Sequence, residues 1–90
     1  MEILDIIESQ FQKQVLECDK LTVVNFWSNW CVKCTFQGVI LDEMNKESHD
    51  LDVRLAKVRI DENTSLIERY DIKGLPLLLF FWKGQLWKID

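Results

Sequence analysis

Ninety residues, 48% apolar and 29% charged, are the composition of one small globular domain with a single core, and the expectation is one domain over residues 1–90. Eleven Lys and Arg against fifteen Asp and Glu leave a formal charge of -4, without the basic excess that nucleic-acid binding needs. The apolar runs are too short to span a bilayer, no leader pattern opens the chain, and three Gly with one Pro exclude a disordered or collagen-like chain. Three cysteines are an odd number, with Cys31 and Cys34 in the tetrad Cys31-Val32-Lys33-Cys34 and Cys18 apart. That suits a reducing compartment, the cytoplasm, and one working dithiol better than a secreted scaffold of structural bridges.

Met1 to Glu8, rich in Ile and Leu, reads as a short strand or helix. Ser9 is positioned to cap a helix carrying Phe11, Val15 and Leu16 and ending near Asp19. Leu21 to Trp27, β-branched and aromatic, reads as a buried strand. Phe36, Ile40 and Met44 recur every four residues among polar Asp42, Glu43, Lys46 and Glu47, which predicts an amphipathic helix over Cys31–Ser48. Val53 to Ile60 suits a second strand. Asn63 or Thr64 can cap a helix carrying Leu66, Ile67 and Tyr70, with Gly74 beyond its end. Leu75 to Trp82 reads as a central strand starting after Pro76, and Lys83-Gly84 is a two-residue hairpin signal leading into Gln85–Ile89. The order (β)αβαβαββ implies an α/β fold with a mixed sheet and helices on both faces.

A dithiol at a strand-to-helix junction points to thiol–disulfide exchange, which needs one readily ionised thiol and a second to displace the first product. At the mouth of a helix, unpaired backbone N–H groups and the helix dipole favour the thiolate. A stabilisation of up to ~2 kcal/mol lowers a free-thiol value of about 8.5 by roughly one unit. A metal knuckle of Cys31, Cys34, Cys18 and His49 is the alternative, but zinc sites normally bring a second close ligand pair, which is missing; the expectation is no metal.

The stretch Val23-Val24-Asn25-Phe26-Trp27-Ser28-Asn29-Trp30-Cys31-Val32-Lys33-Cys34 resembles the active-site segment of thioredoxins. Ile40-Leu41-Asp42-Glu43-Met44 is similar to their long helix, and Leu55-Ala56-Lys57-Val58-Arg59-Ile60-Asp61 to their next strand. Tyr70-Asp71-Ile72-Lys73-Gly74-Leu75-Pro76-Leu77 resembles the loop around their cis-proline. The resemblance runs from about Ile6 to Lys88 and implies a thioredoxin-like fold, a central mixed sheet flanked by helices.

It also implies a protein-disulfide reductase, in which Cys31 is the exposed nucleophile and Cys34 the more buried resolving thiol. Its working group would be the redox-active disulfide Cys31–Cys34, with no external cofactor. The partners implied are disulfide-containing protein substrates and a thioredoxin-reductase-like electron donor. Trp30 would form an exposed apolar lid, Trp27 would belong to the core, and a cis Pro76 would leave the Leu75 backbone free to pair with an extended substrate. Thioredoxin is itself the standard example of such a thiol, with a pKa of about 7.

Three departures from the family pattern qualify the expectation. Asn25 stands where many members carry a buried Asp, so the proton of Cys34 needs water or Lys57, whose alternative is a strand lysine reaching solvent. Val32-Lys33 replaces Gly-Pro; positive charge at Lys33 should stabilise the thiolate and raise the potential above about -270 mV, toward the glutaredoxin range of about -200 to -230 mV. The family's C-terminal helix is missing, which should leave apolar surface uncovered near Leu79, Phe81 or Trp87; either this is a truncated version of the family or a homodimer supplies the missing cover. The rival function is a redox-inactive, thioredoxin-fold binding module. Cys18 and His49 carry no assigned role.

Overall fold

A computed structural model describes residues 3–47 and 52–89. Strand β1 is the short Leu4–Asp5, and helix α1 is one turn, Glu8–Phe11, continuing as a π-helical turn over Gln12–Leu16. Then follow β2 (Leu21–Trp27), α2 (Val32–Glu47), β3 (Val53–Arg59), a 3-10 turn (Ile60–Glu62), α3 (Thr64–Arg69), β4 (Leu77–Trp82) and β5 (Gln85–Ile89). The sheet order is β1-β3-β2-β4-β5. β1, β3 and β2 run parallel, whereas β4 is antiparallel to β2 and β5 to β4. The α/β mixed sheet expected from the sequence is therefore present.

Side chains alternate across β2 because the strand period is two. Val24 and Phe26 point with Val58, Leu79 and Phe81 into the main core, which is closed by Phe11, Val15 and Leu66. Phe11, Tyr70 and Phe81 form a triangle of rings with centroids 5.6 Å apart. On the opposite face, Leu21, Val23, Leu55, Leu78 and Phe80 line a cavity under α2, together with Leu41, Ile40 and Met44 of that helix. This second layer is thin: Cys34 and Leu41 are the buried residues of α2, and Phe36, Ile40 and Met44 stay more than half exposed.

Several local expectations are corrected. Leu79 and Phe81 are fully buried and leave no uncovered patch; the thinly covered face carries Phe80, Trp82 and Trp87, the last 70% exposed. As expected, β4 begins after Pro76, at Leu77; the Leu75–Pro76 peptide is cis, and residues 74–76 form a bend before the strand. Ser9 does not cap α1: its N-cap is Ile7, whose backbone N–H donates to Gln10 Oε1 at 3.2 Å. Asn63 sits at the N-cap of α3 but serves α1 instead. Its Oδ1 accepts the Glu8 N–H at 2.7 Å, and its Nδ2 donates to the Arg59 carbonyl at 2.7 Å. Glu8 returns the favour to α3, where its carboxylate accepts from the Ser65 backbone N–H at 3.2 Å and from the Ser65 hydroxyl. The two helix starts satisfy each other's orphan donors.

The Lys83-Gly84 hairpin forms as expected, with φ of 50° and 80° at its two residues. Glycine is required at 84, since a Cβ there would stand 2.8 Å from the Leu16 carbonyl oxygen. Ser48, His49 and the opening Met1 lie outside the described residues.

Candidate active site

β2 ends at Trp27, and the chain turns through Ser28–Trp30 into α2, so that Cys31 immediately precedes the first helical residue. Its N–H donates to the Ser28 carbonyl at 3.4 Å. The Cys31 Sγ accepts the Cys34 backbone N–H at 3.2 Å, the bond that a capping side chain makes to the third residue of a helix. Cys31 and Cys34 are joined as a disulfide, with Cα atoms 5.3 Å apart. Cys31 is half-buried and Cys34 fully buried, the order expected of an outer and an inner sulfur.

Two hollows flank the pair. The outer one, about 480 Å³, is lined by Trp30, Cys31, Lys33, Ile60, Gly74 and Leu75, among others. Trp30 is 70% exposed at its rim. Pro76 lines a neighbouring hollow with Leu75, Gly74 and Tyr70. The inner cavity, about 290 Å³, is bounded by Asn25, Ser28, Cys34, Gly38, Asp42 and Lys57 as well as Trp27. Asn25 pairs in register with Lys57 on β3 and Leu78 on β4, which puts an amide and an ammonium side by side under α2.

The predicted residues thus divide into two groups: Trp30, Cys31, Lys33 and Leu75 at the outer groove, and Cys34, Asn25 and Lys57 at the inner cavity. Trp27 is not a core residue. It is half-buried beneath two cations, with Lys57 Nζ 5.9 Å and Arg59 5.8 Å from its ring centroid. Arg59 is further held by Asp61 at 3.0 Å and Glu62 at 2.8 Å. Ser28, Gly38 and Asp42 of the inner cavity were not singled out in the sequence. A glycine in the middle of a helix, four residues from Cys34, was the available signal.

Cys18 has a defined environment away from the dithiol. Burial pushes its thiol up, but hydrogen bonds from the Lys20 backbone, Arg54 and Thr22, with the charge of Arg54, outweigh this and leave it below the ordinary thiol value. The Arg54 Nη1 lies 3.4 Å from its sulfur, while the same guanidinium bonds the Gln14 carbonyl and side chain. Among the described residues no group of three or more His, Cys, Asp and Glu side chains could hold a metal ion. None of the described helices is long and apolar enough to cross a membrane.

A mixed five-stranded sheet with a disulfide across the start of its long helix defines a thioredoxin-fold thiol–disulfide oxidoreductase. The family model "Thioredoxin" matches residues 2–90, and the chain belongs to the thioredoxin family. It is 36% identical over 81 residues to a thioredoxin of Rickettsia felis, covering 90% of this chain and 76% of that protein. With a thioredoxin of Acidithiobacillus ferridurans it shares 39% over 84 residues, 93% of this chain and 77% of the relative. A thioredoxin of Rickettsia prowazekii is 36% identical over 81 residues, 90% of this chain and 76% of the relative. The family's chemistry runs on a redox-active disulfide, not on an external cofactor; its members reduce protein disulfides and are themselves re-reduced by a reductase-like donor. The binding-module alternative is not favoured, because the cysteine pair is at bonding distance in a chain of this family.

Proposed function

We propose that Cys31 is the attacking thiol and Cys34 the resolving thiol of a protein-disulfide reductase. The observation that carries this is the Cys31 sulfur accepting the Cys34 N–H at the helix start. In the reduced protein the same N–H, with the helix dipole behind it, favours a negative sulfur. Cys31 attacks a substrate disulfide; Cys34, on the same turn, attacks the mixed disulfide at high effective concentration. The substrate thiol departs and Cys31–Cys34 is left oxidised.

The outer groove supports the substrate roles. Trp30 offers an exposed indole face to an apolar side chain, and Leu75, beside the cis Pro76, presents backbone to an extended segment. Lys33, in the same groove as Cys31, adds positive charge that stabilises the thiolate and so makes the disulfide a stronger oxidant. A thioredoxin-reductase-like partner restores the dithiol. One domain covers the whole chain, its setting is the cytoplasm, and a second copy covers the thin face that bears Trp82 and Trp87.

Insulin reduction driven by dithiothreitol tests the central roles. Turnover should be lost in Cys31→Ser, and Cys34→Ser should accumulate a substrate adduct on Cys31. Turnover by the Cys31→Ser chain at the parent rate would refute the assignment. Glutathione titration reads the Lys33 contribution: Lys33→Ala should lower the potential, and an unchanged potential would remove that residue from the account.

A further inference from the structure

The inner cavity holds polar groups that the exchange roles above leave unused. Asn25 is 4% exposed, and its Oδ1 has no hydrogen-bond partner among the described residues. The same is true of Ser28 Oγ and Trp27 Nε1, and all three residues line the cavity with Cys34. Buried polar atoms are normally satisfied by protein or by ordered water. A cavity of about 290 Å³ with several such groups accommodates water, which occupies about 30 Å³ per molecule in the liquid.

Cys34, Gly38 and Asp42 follow one another at four-residue steps along α2, and all three line this cavity. Each step advances about 6 Å along the helix. The cavity therefore extends along one side of α2, from the inner sulfur toward a carboxylate. Gly38 forms the wall between them, and a Cβ there would meet nothing within 4 Å. A mid-helix glycine costs about 1 kcal/mol relative to alanine, and no packing contact at Gly38 demands it; its bare backbone leaves the path open.

We propose that Asp42 accepts the proton that Cys34 releases during resolution, through water oriented by Asn25 Oδ1 and Ser28 Oγ. This rests on the roles proposed for Cys31 and Cys34. The Cys34 thiol gives its proton to the water as its sulfur attacks Cys31 Sγ. The bond between Cys31 and the substrate sulfur breaks, and its electron pair leaves on that sulfur, which solvent protonates. The dithiol loses two electrons and the substrate disulfide gains them, while the proton passes from water to Asp42 and on to bulk. Asn25 cannot take the proton itself, but its oxygen fixes the relay. The Lys57 ammonium, the other charged group lining the cavity, favours the transient Cys34 thiolate. Asp42 acts through water and not on the sulfur directly.

An aromatic disulfide that releases coloured nitrothiobenzoate separates the steps in a Cys18→Ser chain. A first release follows attack by Cys31, and a second follows resolution by Cys34. At neutral pH, Asp42→Asn should slow the second phase about tenfold, less than the ~10²–10⁴ of a base in direct contact, and leave the first unchanged. Asp42→Glu should restore the rate to within about twofold. In an Asn25→Asp chain, where an acid sits beside Cys34 itself, Asp42→Asn should no longer slow the second phase. A second phase unaffected by Asp42→Asn, equally slow with Asp42→Glu, or still slowed in the Asn25→Asp chain overturns the proposal. Absence of a second phase in the parent chain overturns the exchange roles beneath it, and the proposal with them.

Discussion

Asn63→Ala should destabilise the protein far more than a surface helix-cap change. The side chain is 2% exposed and joins two elements: it accepts the first free N–H of α1 and donates to the Arg59 carbonyl at the end of β3, both at 2.7 Å. Truncation removes two hydrogen bonds of ~1 kcal/mol each and strands a partly buried donor and acceptor, whose separate desolvation penalty is about 1–3 kcal/mol. Because both stranded groups are only partly buried, the low end of the sum applies, a loss of about 3 kcal/mol. For a domain of this size each kcal/mol shifts the melting point by about 4–8 °C, so a drop of roughly 15 °C is expected. Denaturant unfolding of oxidised parent and variant, with equal slopes required, measures it. A loss below about 1 kcal/mol would refute the claim that Asn63 ties α1 to α3.

Gly84→Ala should destabilise by about 2 kcal/mol or more, since the residue needs φ of 80° and its Cβ would press on the Leu16 carbonyl; thermal melting reads this. Tyr70, the single tyrosine, ionises above the ordinary phenol value because burial raises it, more than the Arg69 charge lowers it. Its folded pKa is the raised one, so its stabilising contribution is complete below about 10 and is lost as pH rises through the folded value. Tyr70→Phe should flatten that alkaline decline, which stability measurements across the range would detect. Cys18 is the opposite case: with its thiol lowered, more thiolate is present at a given pH, and Arg54→Met should slow its alkylation in the oxidised protein below the thiol midpoint. An unchanged alkylation rate would detach Arg54 from Cys18.

Much of the fold was legible because several strands and the long helix have strong local signals. Leu21–Trp27 is β-branched and aromatic, the tetrad follows it directly, and Lys83-Gly84 lies between two apolar runs. The phase of β4 was not legible. Leu77-Leu78-Leu79-Phe80-Phe81-Trp82 is apolar throughout, so a period of two gives no sign of which half meets the main core, and the expectation of uncovered surface at Leu79 and Phe81 picks the half that is buried. Asn63 shows a second limit: its acceptor role depends on Glu8, distant in sequence, whereas a cap is read from neighbours. Exposure of Phe36, Ile40 and Met44 was equally hidden, because helical spacing shows which residues share a side but not how closely the sheet approaches it. At the site, residue types and spacing exposed the two sulfurs. The cavity behind them depends on Gly38 and on register pairing between Asn25 and Lys57, which only the assembled sheet reveals.

The central claim is that the helix start makes Cys31 an acidic thiol. The direct measurement is the pH dependence of alkylation of Cys31 in a chain carrying Cys18→Ser and Cys34→Ser, so that one thiol reports. The account predicts a midpoint near 7, the value known for thioredoxin itself as the standard example, against about 8.5 for free cysteine. A midpoint at or above the free value would contradict it.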